Sequence, residues 1–190
     1  MTATKMYITY IAILITISFS SNLFAKERQV GINISSISGS GLSYHTQINK
    51  DVEIRATGFL YYTSDGESKD IDKAYIFGSE LQYNLSDNRD NRLYLFLGTS
   101  FWYLEKEMPR SVKINDKLIN YTLLDINRVW NFGTGIGYEI SILDIAKLDL
   151  GIGFQYQNSG ISKVSTYIDR SPSGTNFIGI GGSLGLRIVL

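Results

Sequence analysis

The chain has 190 residues, including 18 Gly, 13 Tyr, 9 Phe and 2 Pro, with 1 His and no Cys. Lys and Arg (18) balance Asp and Glu (18), which excludes a basic nucleic-acid binder and an acidic solvating tail. The absence of cysteine excludes a disulfide scaffold, thiolate metal sites and thiol nucleophiles, and a lone histidine leaves no room for a His-rich metal centre.

Residues 1–25 carry one charge, Lys5, followed by the uncharged stretch from Met6 to Ala25 and then Lys26-Glu27-Arg28. A basic start, an apolar middle and a small residue before a polar mature start are the layout of a secretory signal peptide, with cleavage after Ala25. An uncleaved helical anchor is the alternative, since Met6–Ala25 is long enough to span a bilayer. Its Thr9, Thr16, Ser18, Ser20, Ser21 and Asn22 make it a poor permanent span. The expected mature domain is 26–190, exported, with a net charge of −1.

Beyond it no long segment repeats at 3.6 residues. Eight runs alternate with period 2, the mark of half-buried strands. In chain order their apolar sets begin at Val30, Leu42, Val52, Tyr75, Leu93, Trp130, Leu148 and Ile178. Connections at Asn49–Asp51, Ser86–Asn91 and Ser141–Ala146 are short, whereas Ser64–Asp72, Lys106–Asp125 and Asn158–Thr175 are long and polar. Ser36–Ser40 breaks that alternation by being short. Both prolines, Pro109 and Pro172, fall in the long set, where no ladder donor is needed. Within Lys106–Asp125, Val112 and Ile114, then Leu118, Ile119 and Tyr121, flank Asn115-Asp116 as a small hairpin that extends two strands into a ribbon.

Short turns at one end and long loops at the other predict an all-β fold: an eight-stranded antiparallel up-and-down transmembrane β-barrel, with short periplasmic turns and longer extracellular loops. The alternative, a soluble lipocalin-like barrel, shares the topology with the faces reversed. The polar face decides between them. Gly31, Gly41, Gly78, Gly98, Gly133, Gly135, Gly137, Gly151, Gly153, Gly179, Gly181 and Gly185 all lie on it, and only Gly58 and Gly182 of the strand glycines fall on the apolar face. A water-facing sheet has no use for glycine, but a narrow lumen holding Phe96 and Trp102 needs small neighbours. The apolar face carries Leu and Ile in its middle and aromatics towards its ends, as in Trp130/Tyr138 and Tyr75/Tyr83, the pattern of interfacial girdles.

The lumen face also carries Glu53, Arg55, Glu80, Glu139, Asp149, Arg187 and His45. Buried charges need partners, and both signs are present, so these residues read as a polar network filling the barrel. A three-residue turn at Asn49–Asp51 sets Gln47 opposite Glu53 and His45 opposite Arg55. An ion path through the same residues is the sharper alternative.

The last residues, Ser183-Leu184-Gly185-Leu186-Arg187-Ile188-Val189-Leu190, resemble the terminal assembly signal of outer-membrane barrels. That signal reads polar, any, Gly, any, any, hydrophobic, any, hydrophobic. Ser183, Gly185, Ile188 and Leu190 take the defining positions, with Leu190 standing where the family usually ends in Phe or Trp. Residues 26–190 are similar in layout to the small eight-stranded barrels of the outer-membrane protein A and outer-membrane protein X type. The resemblance implies a monomer in the cell outer membrane, contact with outer-membrane lipids and lipopolysaccharide, and insertion by the barrel-assembly machinery.

Enzymatic chemistry has one candidate. Ser43 and His45 share a face, and some eight-stranded outer-membrane enzymes remodel lipid A with a His/Ser/Glu set. The order here is reversed and no acidic partner is assigned, which makes a lumen filler the simpler reading. Asp65, Glu67, Asp70 and Asp72 form an acidic loop without EF-hand spacing. Nothing points to a cofactor or a metal. The expected role is therefore non-enzymatic, structural or surface-interacting through extracellular loops. A narrow pore for small solutes or ions is the alternative, with a lipid A-modifying enzyme and a soluble binder behind it.

Overall fold

A computed structural model of the chain describes residues 28–64, 70–88, 90–114, 117–143, 145–165, 168–169 and 173–190. The expected signal peptide lies outside them, as do Asn115, Asp116 and Pro172. The strands are β1 (Arg28–Ser35), β2 (Gly41–Gln47), β3 (Val52–Ser64), β4 (Ile71–Asp87), β5 (Asn91–Ile114), β6 (Lys117–Leu143), β7 (Ala146–Ser165), β8 (Ile168–Asp169) and β9 (Ser173–Val189). Every pairing is antiparallel. Neighbours follow chain order from β1 to β7, β7 pairs with β9, and β9 pairs with β1. Eight long strands thus close a ring, and β8 is a two-residue addition paired with β7.

The stagger of the ring can be read from its registers. A cross-strand path from Gly58 reaches Leu186 through β2 and β1, but Asn176 through β4, β5, β6 and β7. The two arrivals on β9 are ten residues apart, which tilts the strands by about 40°.

Chemistry dictates which way the faces point. Ile178 is 77% exposed and Phe154 and Ile180 are each 71% exposed, while Arg55 and Arg187 are 1% exposed and Asp149 is fully buried. A water-soluble barrel would reverse this order. The exposed stripe of β4 runs from Leu85 through Tyr83, Leu81 and Phe77 to Tyr75, a climb of about 25 Å, the height of a lipid-facing band. Aromatics gather at its upper edge, where Tyr75 stacks on Tyr103 with centroids 5.6 Å apart and Phe101 meets Trp130 at 4.6 Å.

The short turns and both ends of the described barrel, Arg28 and Leu190, share the lower rim. Asn49 Oδ1 accepts from the N–H groups of Asp51 and Val52, both at 2.9 Å, and so closes the β2–β3 turn. Leu190 N–H donates to the Arg28 carbonyl at 2.9 Å, tying the end of the barrel to its start. The upper rim is uneven. β5 and β6 run through the Lys106–Asp125 connection, where the sequence marked a small hairpin around Asn115-Asp116, and Pro109 sits inside β5 opposite Thr122. The reason is positional: β4 pairs with β5 only as far as Ile71–Glu107, so above that point β5 is an edge strand, where proline is tolerated. β7 likewise extends to Ser165, well into the connection expected to begin at Asn158.

The low side of the rim is the β1–β2 connection, and it folds inward. Ile37 and Ser38 are fully buried. Ser35 Oγ accepts from the Ile37 and Ser38 N–H groups at 3.1 and 3.0 Å, and Asn33 Nδ2 donates to the Gly39 carbonyl at 2.9 Å. Gly39 has φ +84°, a left-handed turn that glycine makes without strain. Much of the glycine content has its cause here. A Cβ at Gly98 or Gly133 would sit 3.0 Å from Ile37, and one at Gly181 would sit 2.7 Å from it. The glycines make room for a plug as well as for the ring of Phe96.

Gly98→Leu should therefore destabilise the folded barrel by about 1–3 kcal/mol through overpacking. Ile37→Ala in the same chain should recover part of the loss. Urea unfolding in lipid vesicles measures both.

Candidate functional site

Below the plug, inward-facing side chains from seven strands form one ionic network. Arg55 on β3 donates to Glu80 Oε2 at 2.6 Å and to Asp149 Oδ2 at 3.1 Å, and reaches Ser38 Oγ of the plug at 3.3 Å. Arg187 on β9 donates to Asp149 Oδ2 at 2.9 Å and also engages Glu139 and His45. Arg92 on β5 meets Glu53 and Glu139 at 2.7 Å each and donates to Gln82 at 2.7 Å and Asn84 at 2.9 Å. Lys147 lies 3.2 Å from Glu139. The Tyr94 hydroxyl donates to Asp149, and the Arg92 guanidinium stacks over the Tyr94 ring at 4.6 Å.

Three arginines and Lys147 face four carboxylates, so the network is balanced in charge. Balance matters in a lumen screened from water, where an unpaired ion is far costlier than a paired one. Cross-linked in this way, the lower lumen is a polar core.

All seven residues expected in the lumen network lie there: Glu53, Arg55, Glu80, Glu139, Asp149, Arg187 and His45. The register sets His45 opposite Arg55 and Gln47 opposite Glu53. Arg92, Gln82, Asn84 and Tyr94 complete the network, and Arg92 was not foreseen. Extending the alternation two residues back from Tyr94 identifies it; starting the strand at Leu93 hid it. Ser43 and His45 both face inward and are buried. His45 is engaged by Arg187 and lies 3.3 Å from Glu53, while Ser43 Oγ makes no hydrogen bond, so the pair is not coupled. Of the acidic loop, Asp65 and Glu67 lie outside the described residues. At the chain end, Ile188 and Leu190 are exposed on the outer wall, and Gly185 is buried on the inner face.

Above the plug the lumen changes character. Ile76 and Val129 are buried there, and Trp102 donates to Ser100 Oγ at 3.1 Å. The outer mouth holds a cavity of about 410 Å³ whose lining includes Tyr61, Asp72, Leu104, Lys106, Asp125 and Asn127. On the outside of the wall, above the aromatic belt, Lys73 donates to Glu105 and Glu107 at 2.6 Å each. The Lys73 hydrogen bond holds the Glu105 carboxyl below the usual carboxylate range, and the two glutamates hold the Lys73 ammonium above its own.

A closed eight-stranded ring, an apolar outer wall about one bilayer core in height and a charged interior define a transmembrane β-barrel. No protein-family model matches the chain, and no curated protein matches it. Among solved structures it is similar to CarO of Acinetobacter baumannii, at 13% identity over 90% of this chain and 100% of that chain, with a TM-score of 0.41. It is also similar to Acinetobacter baumannii CarO2, at 12% identity over 86% of this chain and 98% of that one, with a TM-score of 0.40. A third is Ail, the attachment invasion locus protein of Yersinia pestis, at 13% identity over 86% and 97%, with a TM-score of 0.36.

Arg55→Ala strips Glu80 and Asp149 of a buried partner and should cost about 3–5 kcal/mol of stability. Lys73→Ala, on the outside of the wall, should cost less than about 1 kcal/mol. Urea titration of the refolded barrel separates the two.

Proposed function

We propose that the protein is a non-conducting, non-enzymatic surface protein of the outer membrane, a monomer bathed in outer-membrane lipid and lipopolysaccharide. In this reading the barrel anchors an extracellular β-ribbon that meets partners outside the cell. One contrast carries it: charged cross-links span the lower lumen, while the wall grows outward. Among the described residues, β5 and β6 above Met108–Leu123 pair only with each other, for about 20 Å of strand. A free hairpin edge offers backbone donors and acceptors for strand addition. The C-terminal positions Ser183, Gly185, Ile188 and Leu190 are proposed as the signal read by the barrel-assembly machinery.

A narrow pore draws less support. Water passing through the barrel would have to cross both the Ile37 plug and the Arg55–Asp149–Arg187 cross-links. Catalysis by Ser43 and His45 draws less still, because the two are not in contact and face away from lipid.

Replacing Pro109–Thr122 by a two-residue Asn-Gly turn between the paired Met108 and Leu123 should leave a heat-modifiable barrel on an unboiled gel while abolishing adhesion of cells displaying it to a protein-coated surface. Unchanged adhesion contradicts the role given to the ribbon. Purified full-length protein should show no steady conductance in planar bilayers; a stable channel would favour the pore.

A further inference from the structure

The ring is complete only up to the plug. β1 pairs with β9 as far as Ser35–Ser183, and β2 with β3 as far as Leu42–Gly58. Ser36 caps the end of this pairing, its N–H donating to the Gly182 carbonyl and its Oγ accepting from the Gly182 N–H, both at 3.2 Å. Above that level the upper parts of β3 and β9 face each other across the space where β1 and β2 have ended. The lipid-facing stripe does not stop there. It continues through Leu60 and Tyr62 on one side and Ile180 and Ile178 on the other, for about 10 Å of further climb. Among the described residues, the wall therefore has a lateral gap at the height of the outer half of the membrane.

Beside the gap the inner wall is aromatic, while Ser100, Asn131 and Gln155 are buried polar groups deeper in and Asp72, Lys106 and Asp125 line the mouth above. On the inner face of β3, Phe59 and Tyr61 are 44% and 47% exposed and stack nearly parallel, their centroids 6.5 Å apart. Phe177, on the inner face of β9, is 53% exposed. Ile76, Trp102 and Val129 continue the row from Phe59 strand by strand across β4, β5 and β6, and the Ile37 plug forms the floor, separating this chamber from the charges below. Inner-face aromatics this exposed are out of place in a sealed barrel and fit a chamber open to an apolar guest.

We infer that the upper chamber receives an acyl chain of an outer-leaflet lipid, entering sideways between β3 and β9. Continuity with the lipid-facing surface picks the occupant: the same hydrocarbon that covers Ile178 and Ile180 meets Phe59, Tyr61 and Phe177 at the gap. The polar linkages of the lipid stay at the aromatic belt, within reach of the backbone groups on the two open edges. The plug sets the depth, since its Ile37 ends the apolar space directly above Ser38 and the Arg55 cross-links.

The two tryptophans give a direct test. Trp102 faces the chamber, while Trp130 is 56% exposed on the outer wall. Trp130→Phe and Trp102→Phe variants, each with one tryptophan, are refolded into phosphatidylcholine vesicles brominated at acyl carbons 6 and 7. Quenching of Trp130 tests membrane placement, on which the inference rests; without it, that placement fails. Given it, Trp102 should lose a share of its emission close to that lost by Trp130. Phe59→Lys, or Phe177→Lys if the former does not fold, should reduce Trp102 quenching and leave Trp130 unchanged. Quenching of Trp102 by aqueous acrylamide alone would mean a water-filled chamber, and quenching by neither agent a chamber closed by protein; either result overturns the inference. Lipid quenching unaltered by both lysine variants, meaning that it reaches Trp102 through the wall, overturns it too.

Discussion

Most of the structure follows from one constraint: in hydrocarbon a backbone N–H or C=O without a partner is costly, and the ring supplies partners everywhere below the plug. For a chain whose apolar residues repeat every second position, the solution is a ring, and the β9–β1 ladder that closes it is the pairing on which the rest depends. Closure with eight strands and a ten-residue stagger leaves a narrow interior. That narrowness explains the polar face: glycines where the plug and Phe96 press on the wall, and elsewhere charges long enough to reach across and cancel.

The interior is divided by chemistry. The lower half carries the protein's charge density, held in place because Arg55, Arg92 and Arg187 each bridge residues from different strands. The upper half holds inward-facing aromatics and opens outward through a polar mouth. The five-residue connection between β1 and β2 sits between the halves, with Ser38 against Arg55 below and Ile37 beneath the chamber above. Shortness is what allows this, since a longer connection would stand above the rim like its neighbours. The same shortness ends two strands early and leaves the wall incomplete on one side.

Much of this architecture was legible in the sequence because a period of two in both hydrophobicity and glycine placement reports directly on the two faces of a strand. The seven expected network residues lie together for the same reason: alternation assigns a face without needing to know the partner. Three features were not legible. Arg92 was lost at a strand start, where one residue of alternation cannot be told from a turn. The inward course of Ser36–Ser40 was hidden because polar serines and a glycine look alike in a solvated turn and in a lumen plug. Pro109 was placed in a loop because its tolerance depends on β4 having ended two residues earlier, a tertiary fact. The ribbon was readable from the hairpin pattern around Asn115-Asp116, but not the length of unaccompanied pairing beneath it.

The central claim is that apolar side chains face lipid and charged ones face inward on the same strands. Single-cysteine spin labels from Leu93 to Tyr103 on β5 test it most directly, by comparing accessibility to oxygen, which concentrates in hydrocarbon, and to a water-soluble nickel complex. The account predicts an oscillation of period two, with oxygen maxima at Leu93, Leu95, Leu97 and Phe101 and minima at Tyr94, Phe96 and Ser100. An oscillation of opposite phase, or no preference for oxygen at the odd positions, would contradict it.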